Sequence, residues 1–120
     1  MIETKSVRPF IGTSDFERSR SFYSYIGFDE TPIDSKMSVF KNKGAIFYLQ
    51  DYYVKDWIDN TMLFWEVENL DEVLKHFQSL ELKKHFPNSR LSCIVDNDWG
   101  REFFLHDPDN ILWHIGSFKS

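Results

Sequence analysis

The chain repeats itself, and that repetition constrains its fold more than any other property of the sequence. Ile11, Thr13, Asp15 and Phe16 are matched in kind and spacing by Trp65, Val67, Asn69 and Leu70. At the same offset Tyr23 falls on Phe77 and Ile26 on Leu80. At a larger offset, Gly44 to Leu49 matches Asn110 to Ile115, so the second half carries an insertion, most simply "FPNSRLSCIVDNDWG". A supersecondary unit used twice predicts two copies of one small fold. Each copy reads β-α-β-β-β, which makes the chain α+β.

The local signals set the element boundaries. Asp15 is a good helix N-cap. Phe16, Ser19, Tyr23 and Ile26 then recur at helical spacing, and Gly27 suits the stop. Asn42-Lys43-Gly44 is a hairpin signal leading into the strand "AIFYLQ". In the second half "MLFWEVEN" reads as a strand. Asn69 is expected to cap the next helix, with Glu72 completing a capping box. Leu70, Val73, Leu74 and Phe77 form its apolar stripe. Short strands are expected around "LKKHF" and "LSCIV". A final hairpin turns at His106-Asp107-Pro108-Asp109-Asn110, with Asn110 left-handed. The modules span 1–50 and 61–120 within one 120-residue domain. The linker 51–60, charged and aromatic, is expected to pack its rings on the surface rather than act as a flexible spacer.

Composition narrows the function. Aromatic residues make up 18%, with 12 Phe and 4 Trp. One small core does not use so many rings, so some are expected to line a cleft or a subunit interface. That excess predicts a homodimer. A net charge of −5 argues against nucleic-acid binding, which calls for a basic face. No apolar run approaches the ~20 residues of a membrane span, and the N-terminus lacks a signal-peptide segment. The single cysteine, Cys93, excludes an internal disulfide and fits the cytoplasm. In "LSCIV" it reads as a buried apolar residue.

Three segments, "IGTSDFERSRSFYSYIGF", "LFWEVENLDEVL" and "WGREFFLHDPDNILWHIG", resemble the glyoxalase/bleomycin-resistance/dioxygenase superfamily, also called vicinal oxygen chelate. The ending is similar to the family's Trp-Gly-x-x-Glu-Phe…Asp-Pro-Asp-Gly, with Asn110 in place of Gly. The resemblance implies two modules forming a curved, mostly antiparallel sheet around a cleft, with helices on the outer face. It also implies that the metal ligands of catalytic members come from the first and last strands of each module.

Strand alternation assigns each position a side. Pro9, Ile11, Thr13, Ala45, Phe47, Leu49, Leu63, Trp65, Val67, Ile111, Trp113 and Ile115 are the more apolar set and are expected to face the helices. The opposite set is Arg8, Phe10, Ile46, Tyr48, Gln50, Met62, Phe64, Glu66, Leu112 and His114. By the resemblance, the metal positions on that face are Arg8, Tyr48, Met62 and His114. A guanidinium repels a cation, and phenol and thioether are poor ligands for Mg, Mn or Zn. Neither a metal nor another cofactor is therefore expected, and no catalytic residue is assigned. An unorthodox set of His114, Glu66 and Gln50 keeps a metal-dependent lyase, isomerase or dioxygenase as the alternative.

Without metal, the resemblance points to the bleomycin-resistance branch: binding or sequestration of a small aromatic molecule, such as an antibiotic. Phe10, Phe64 and Tyr48 are expected on the floor of the cleft. Phe40, Trp57 and Trp99 are expected as walls, with Met62 beside them. Arg8, Glu66 and His114 are expected to orient polar groups of the ligand. His106 is read as solvated or capping a turn, and His76 and His85 as surface residues. Asp107 and Asp109 are read as shaping the last turn.

Overall fold

The computed structural model describes residues 1–119. Its strands are β1 (Phe10–Gly12), β2 (Asp29–Asp34), β3 (Met37–Asn42), β4 (Ala45–Gln50), β5 (Met62–Glu66), β6 (Arg90–Leu91), β7 (Val95–Asp96), β8 (Gly100–His106) and β9 (Leu112–Phe118). The helices are α1 (Phe16–Tyr25), α2 (Lys55–Asp59), α3 (Leu70–Ser79) and α4 (Leu82–His85). The chain divides into two compact units, Met1–Val54 and Lys55 onward. Each has its own hydrogen-bonded sheet, ordered β1-β4-β3-β2 and β5-β9-β8-β6, with β7 also pairing β8. The fold is α+β, and both sheets are mostly antiparallel with one parallel pair, β1–β4 and β5–β9.

The duplication holds to the residue. Phe10 pairs with Tyr48 in one sheet, and their sequence counterparts Phe64 and His114 pair in the other. A register slip of one would turn every side chain to the other face. Equal register is therefore what carries the same in-out pattern into both modules.

In the first unit α1 starts at Asp15, whose side chain accepts the Arg18 N–H. Gly27 leaves the helix at φ +117, where a side chain is strained. The buried stripe Phe16, Ser19, Phe22 and Tyr23 covers Ile11, Phe47 and Leu49 of the sheet. Tyr23 meets Phe47 edge-on at 4.7 Å, and Phe28 meets Phe47 at 5.2 Å. Ser19 is buried because its hydroxyl pairs with Thr13 at 2.7 Å, which satisfies both. In the second unit Leu70 and Phe77 of α3 are buried; Phe77 meets Trp65 and Phe103 at 6.2 and 5.9 Å.

Four local expectations are corrected. Asn69 precedes α3 in a left-handed conformation (φ 47) and makes no side-chain capping bond, so no capping box forms. Asp71 and Glu72 complement the helix dipole in the first turn instead. The stretch around "LKKHF" forms the one-turn helix α4, which buries Leu82. Cys93 is exposed, in the irregular chain between β6 and β7. In the linker, Tyr52, Tyr53 and Trp57 are exposed, and α2 anchors itself by burying Ile58 instead. Among the described residues no helix is long and apolar enough to cross a membrane.

Candidate functional site

Cross-strand pairing sets the open face of the second sheet. Phe104, His114 and Phe64 lie side by side across β8, β9 and β5. Glu102, Gly116 and Glu66 form the next row, and Phe118 stands opposite Gly100 beyond it. Since α3 covers the other side, this face keeps rings in the open. Phe64 is 44% exposed, Trp99 37% and Phe118 56%. The three rings pack on one another, with centroids 5.6 Å apart for Phe64–Trp99, 5.5 Å for Phe64–Phe118 and 5.3 Å for Trp99–Phe118.

These rings border a pocket of about 580 Å³, whose lining also includes Met62, Leu63, Glu102 and His114. The polar groups within it are organised. Asn97 Nδ2 donates to Glu102 Oε2 at 2.8 Å. The other carboxylate oxygen, Oε1, lies 2.8 Å from His114 Nδ1. The imidazole sits between Phe64, near-parallel at 6.4 Å, and Phe104, edge-on at 5.2 Å. One row along, burial, helped by the positive charge of Arg90, holds the His106 imidazole below its ordinary range.

The open face of the first sheet is smaller. Phe10 stacks on Tyr48 at 4.8 Å and 18°. Arg8 lies 5.8 Å from the Tyr48 ring centre and donates from Nη1 to its hydroxyl at 3.2 Å. Arg8 Nε donates to Ser6 Oγ at 3.1 Å.

The structure thus brings Met62, Phe64, Trp99 and His114 to one pocket, and Arg8, Phe10 and Tyr48 to one platform. Glu66 shares the face of the pocket residues but is exposed and outside the lining. Trp57 stands exposed on α2, also outside the pocket. Phe40 is corrected outright. It pairs with Phe47, which places it on the helix-facing side, fully buried against Phe47 and Tyr23. It belongs to the core and is no wall.

Sequence reasoning alone does not single out Glu102, Phe118 or Asn97. Phe118 was within reach, because it continues the alternation of His114 and Gly116. Glu102 and Asn97 depend on the register of the last hairpin.

The donor set does not fit the metal that the sequence resemblance implies for catalytic members of the superfamily. In the first module the two corresponding positions hold a guanidinium hydrogen-bonded to a phenol. In the second, Met62 offers a thioether, and His114 has one nitrogen committed to Glu102. Among the described residues no three His, Cys, Asp or Glu side chains gather as a cation would require.

No protein-family model matches the sequence, and no curated protein matches it. Solved structures do. A bleomycin-binding protein from bleomycin-producing Streptomyces verticillus, complexed with copper(II)-bleomycin, superposes with a TM-score of 0.80 at 17% identity, over 99% of this chain and 100% of that one. A bleomycin resistance determinant encoded on the transposon Tn5 gives 0.81 at 18% identity, over 98% and 100%. A glyoxalase/bleomycin resistance protein/dioxygenase from Nocardioides gives 0.70 at 16% identity, over 98% and 86%. The fold is that of the glyoxalase/bleomycin-resistance/dioxygenase superfamily.

Proposed function

We propose that the protein binds and sequesters a small, flat aromatic molecule, an antibiotic being the leading class, without transforming it. One observation carries this reading: the mutually packed rings of Phe64, Trp99 and Phe118 stand exposed at the mouth of a pocket, on the side of the sheet away from α3. Exposed apolar surface of this kind marks a place where something else binds. A planar ligand gains roughly 0.5–1.5 kcal/mol per ring stack beyond the area it buries. The Phe10–Tyr48 platform offers a second stacking surface in the other module. Relatives of the same fold that bind bleomycin support the class of ligand.

The reading includes a homodimer in the cytoplasm. A second copy would cover part of the ring surface, and the one cysteine, exposed and free, suits a reducing compartment. Sedimentation at micromolar concentration tests the dimer; a clean monomer would refute it.

The binding experiment is a tryptophan-fluorescence titration with metal-free bleomycin and a panel of planar drugs. Phe64→Ala should weaken a hit about tenfold, the equivalent of roughly 1.4 kcal/mol. Phe40→Ala should instead lower stability by roughly 3–5 kcal/mol, as core truncations do. No binding across the panel, with thermal stability unmoved, would sink the reading.

A further inference from the structure

We infer that His114 Nε2 is a hydrogen-bond acceptor reserved for a donor carried by the ligand, so that the pocket selects aromatic molecules bearing a hydroxyl or N–H over equally flat ones without. This rests on the ring-binding reading above and narrows its ligand class.

The argument starts at Glu102. Both carboxylate oxygens accept: Oε2 from Asn97 at 2.8 Å, Oε1 from His114 at 2.8 Å. A carboxylate has no proton to give, so His114 Nδ1 is the donor. In the neutral imidazole that leaves a lone pair on Nε2. This Nε2 is buried and, among the described residues, has no hydrogen-bond partner. Buried polar atoms in native proteins are almost always satisfied, so an exception calls for a cause.

The surroundings supply one. Phe64 and Phe104 flank the ring and contribute no conventional donor or acceptor. The pocket that His114 lines is bordered by rings and by Met62. Met62 is exposed in the same pocket lining, and its flexible thioether side chain is the group that turns aside to open the nitrogen to an incoming donor while Phe64 stays in place. A donor on the ligand would then complete the chain Asn97–Glu102–His114–ligand. An aromatic molecule lacking one would leave Nε2 unpaired, as it is in the free protein. A donor-bearing ligand gains a hydrogen bond that the free protein lacks, and the analogue gains nothing there, so the two differ by the worth of one buried hydrogen bond.

The test compares naphthol with its methyl ether, methoxynaphthalene, which keeps the ring system and loses the donor. The wild-type protein should bind naphthol roughly tenfold more tightly, the effect of one buried hydrogen bond. His114→Phe, which keeps a ring and removes the acceptor, should abolish that preference while retaining methoxynaphthalene. Nitrogen NMR of the wild-type protein guards against a variant that folds poorly. The unprotonated Nε2 resonance should move on adding naphthol and stay put with the ether. Equal affinity for the two probes, or an unmoved Nε2 resonance on naphthol binding, overturns the inference and leaves ring binding standing. Failure of both probes to bind overturns the ring-binding reading and the inference with it.

Discussion

The ring of Phe64 lies directly over Gly116. A Cβ on that glycine would stand 3.0 Å from Phe64 Cζ and 2.9 Å from the Arg101 carbonyl oxygen. Glycine here leaves room for the Phe64 ring. Gly116→Ala should force the Arg101 carbonyl of the paired strand and the Phe64 ring to give way together, costing about 1–3 kcal/mol as overpacked sites do. The same variant should weaken planar ligands. Denaturant unfolding and a parallel titration check both; an unchanged affinity would count against a ligand seated on this row of the sheet.

Asp107 holds the last turn together. It is buried, and one carboxylate oxygen accepts the amide N–H groups of Asp109 and Ile111, both at 2.9 Å. Asp107→Ala strands these donors and should cost roughly 1–3 kcal/mol. Asp107→Asn keeps an acceptor oxygen and should recover most of the loss. Urea midpoints of the two variants decide it.

Glu30 ties α1 to β2 and β3. It accepts from Arg20 Nε at 2.6 Å and from Ser38 Oγ at 2.6 Å. Burial works to raise this carboxyl, but the Arg20 and Ser38 hydrogen bonds outweigh it and bring it below the ordinary carboxylate range. A folded value below the unfolded one contributes stability above the unfolded value, lost as pH falls through the folded value. Wild type should therefore lose stability in acid more steeply than Glu30→Gln. Parallel pH profiles would contradict the assignment.

His106 has the same sign for a different reason. Burial, then the charge of Arg90, depresses its affinity for a proton. Its contribution is intact above the ordinary imidazole range and is lost as pH falls from that range toward the depressed folded value. His106→Gln should flatten this mildly acidic part of the stability profile. Thermal unfolding between neutral pH and the carboxylate range reads the difference.

The legible parts of the fold are those encoded locally. The α1 stripe, its Asp15 cap, the Asn42-Lys43-Gly44 turn and left-handed Asn110 (φ 77) follow from neighbouring residues. The Asn69 capping box fails for a reason no local pattern holds: the entry into α3 runs through a left-handed residue. The linker fails similarly. The five-residue helix α2 buries Ile58 and leaves Trp57 exposed, a choice of side that the linker's composition does not record.

By itself the sequence determined the duplicated β-α-β-β-β plan and the helix-facing side of the first and last strand of each module, because alternation and repeat spacing are properties of contiguous chain. Only the tertiary structure decided that Phe40 joins the core while Phe64 and Phe118 stay in the open, and that Asn97, Glu102 and His114 form one chain of hydrogen bonds. These outcomes depend on pairing between strands separated along the sequence. A shift of one residue in that pairing exchanges core for surface, and no single segment records it.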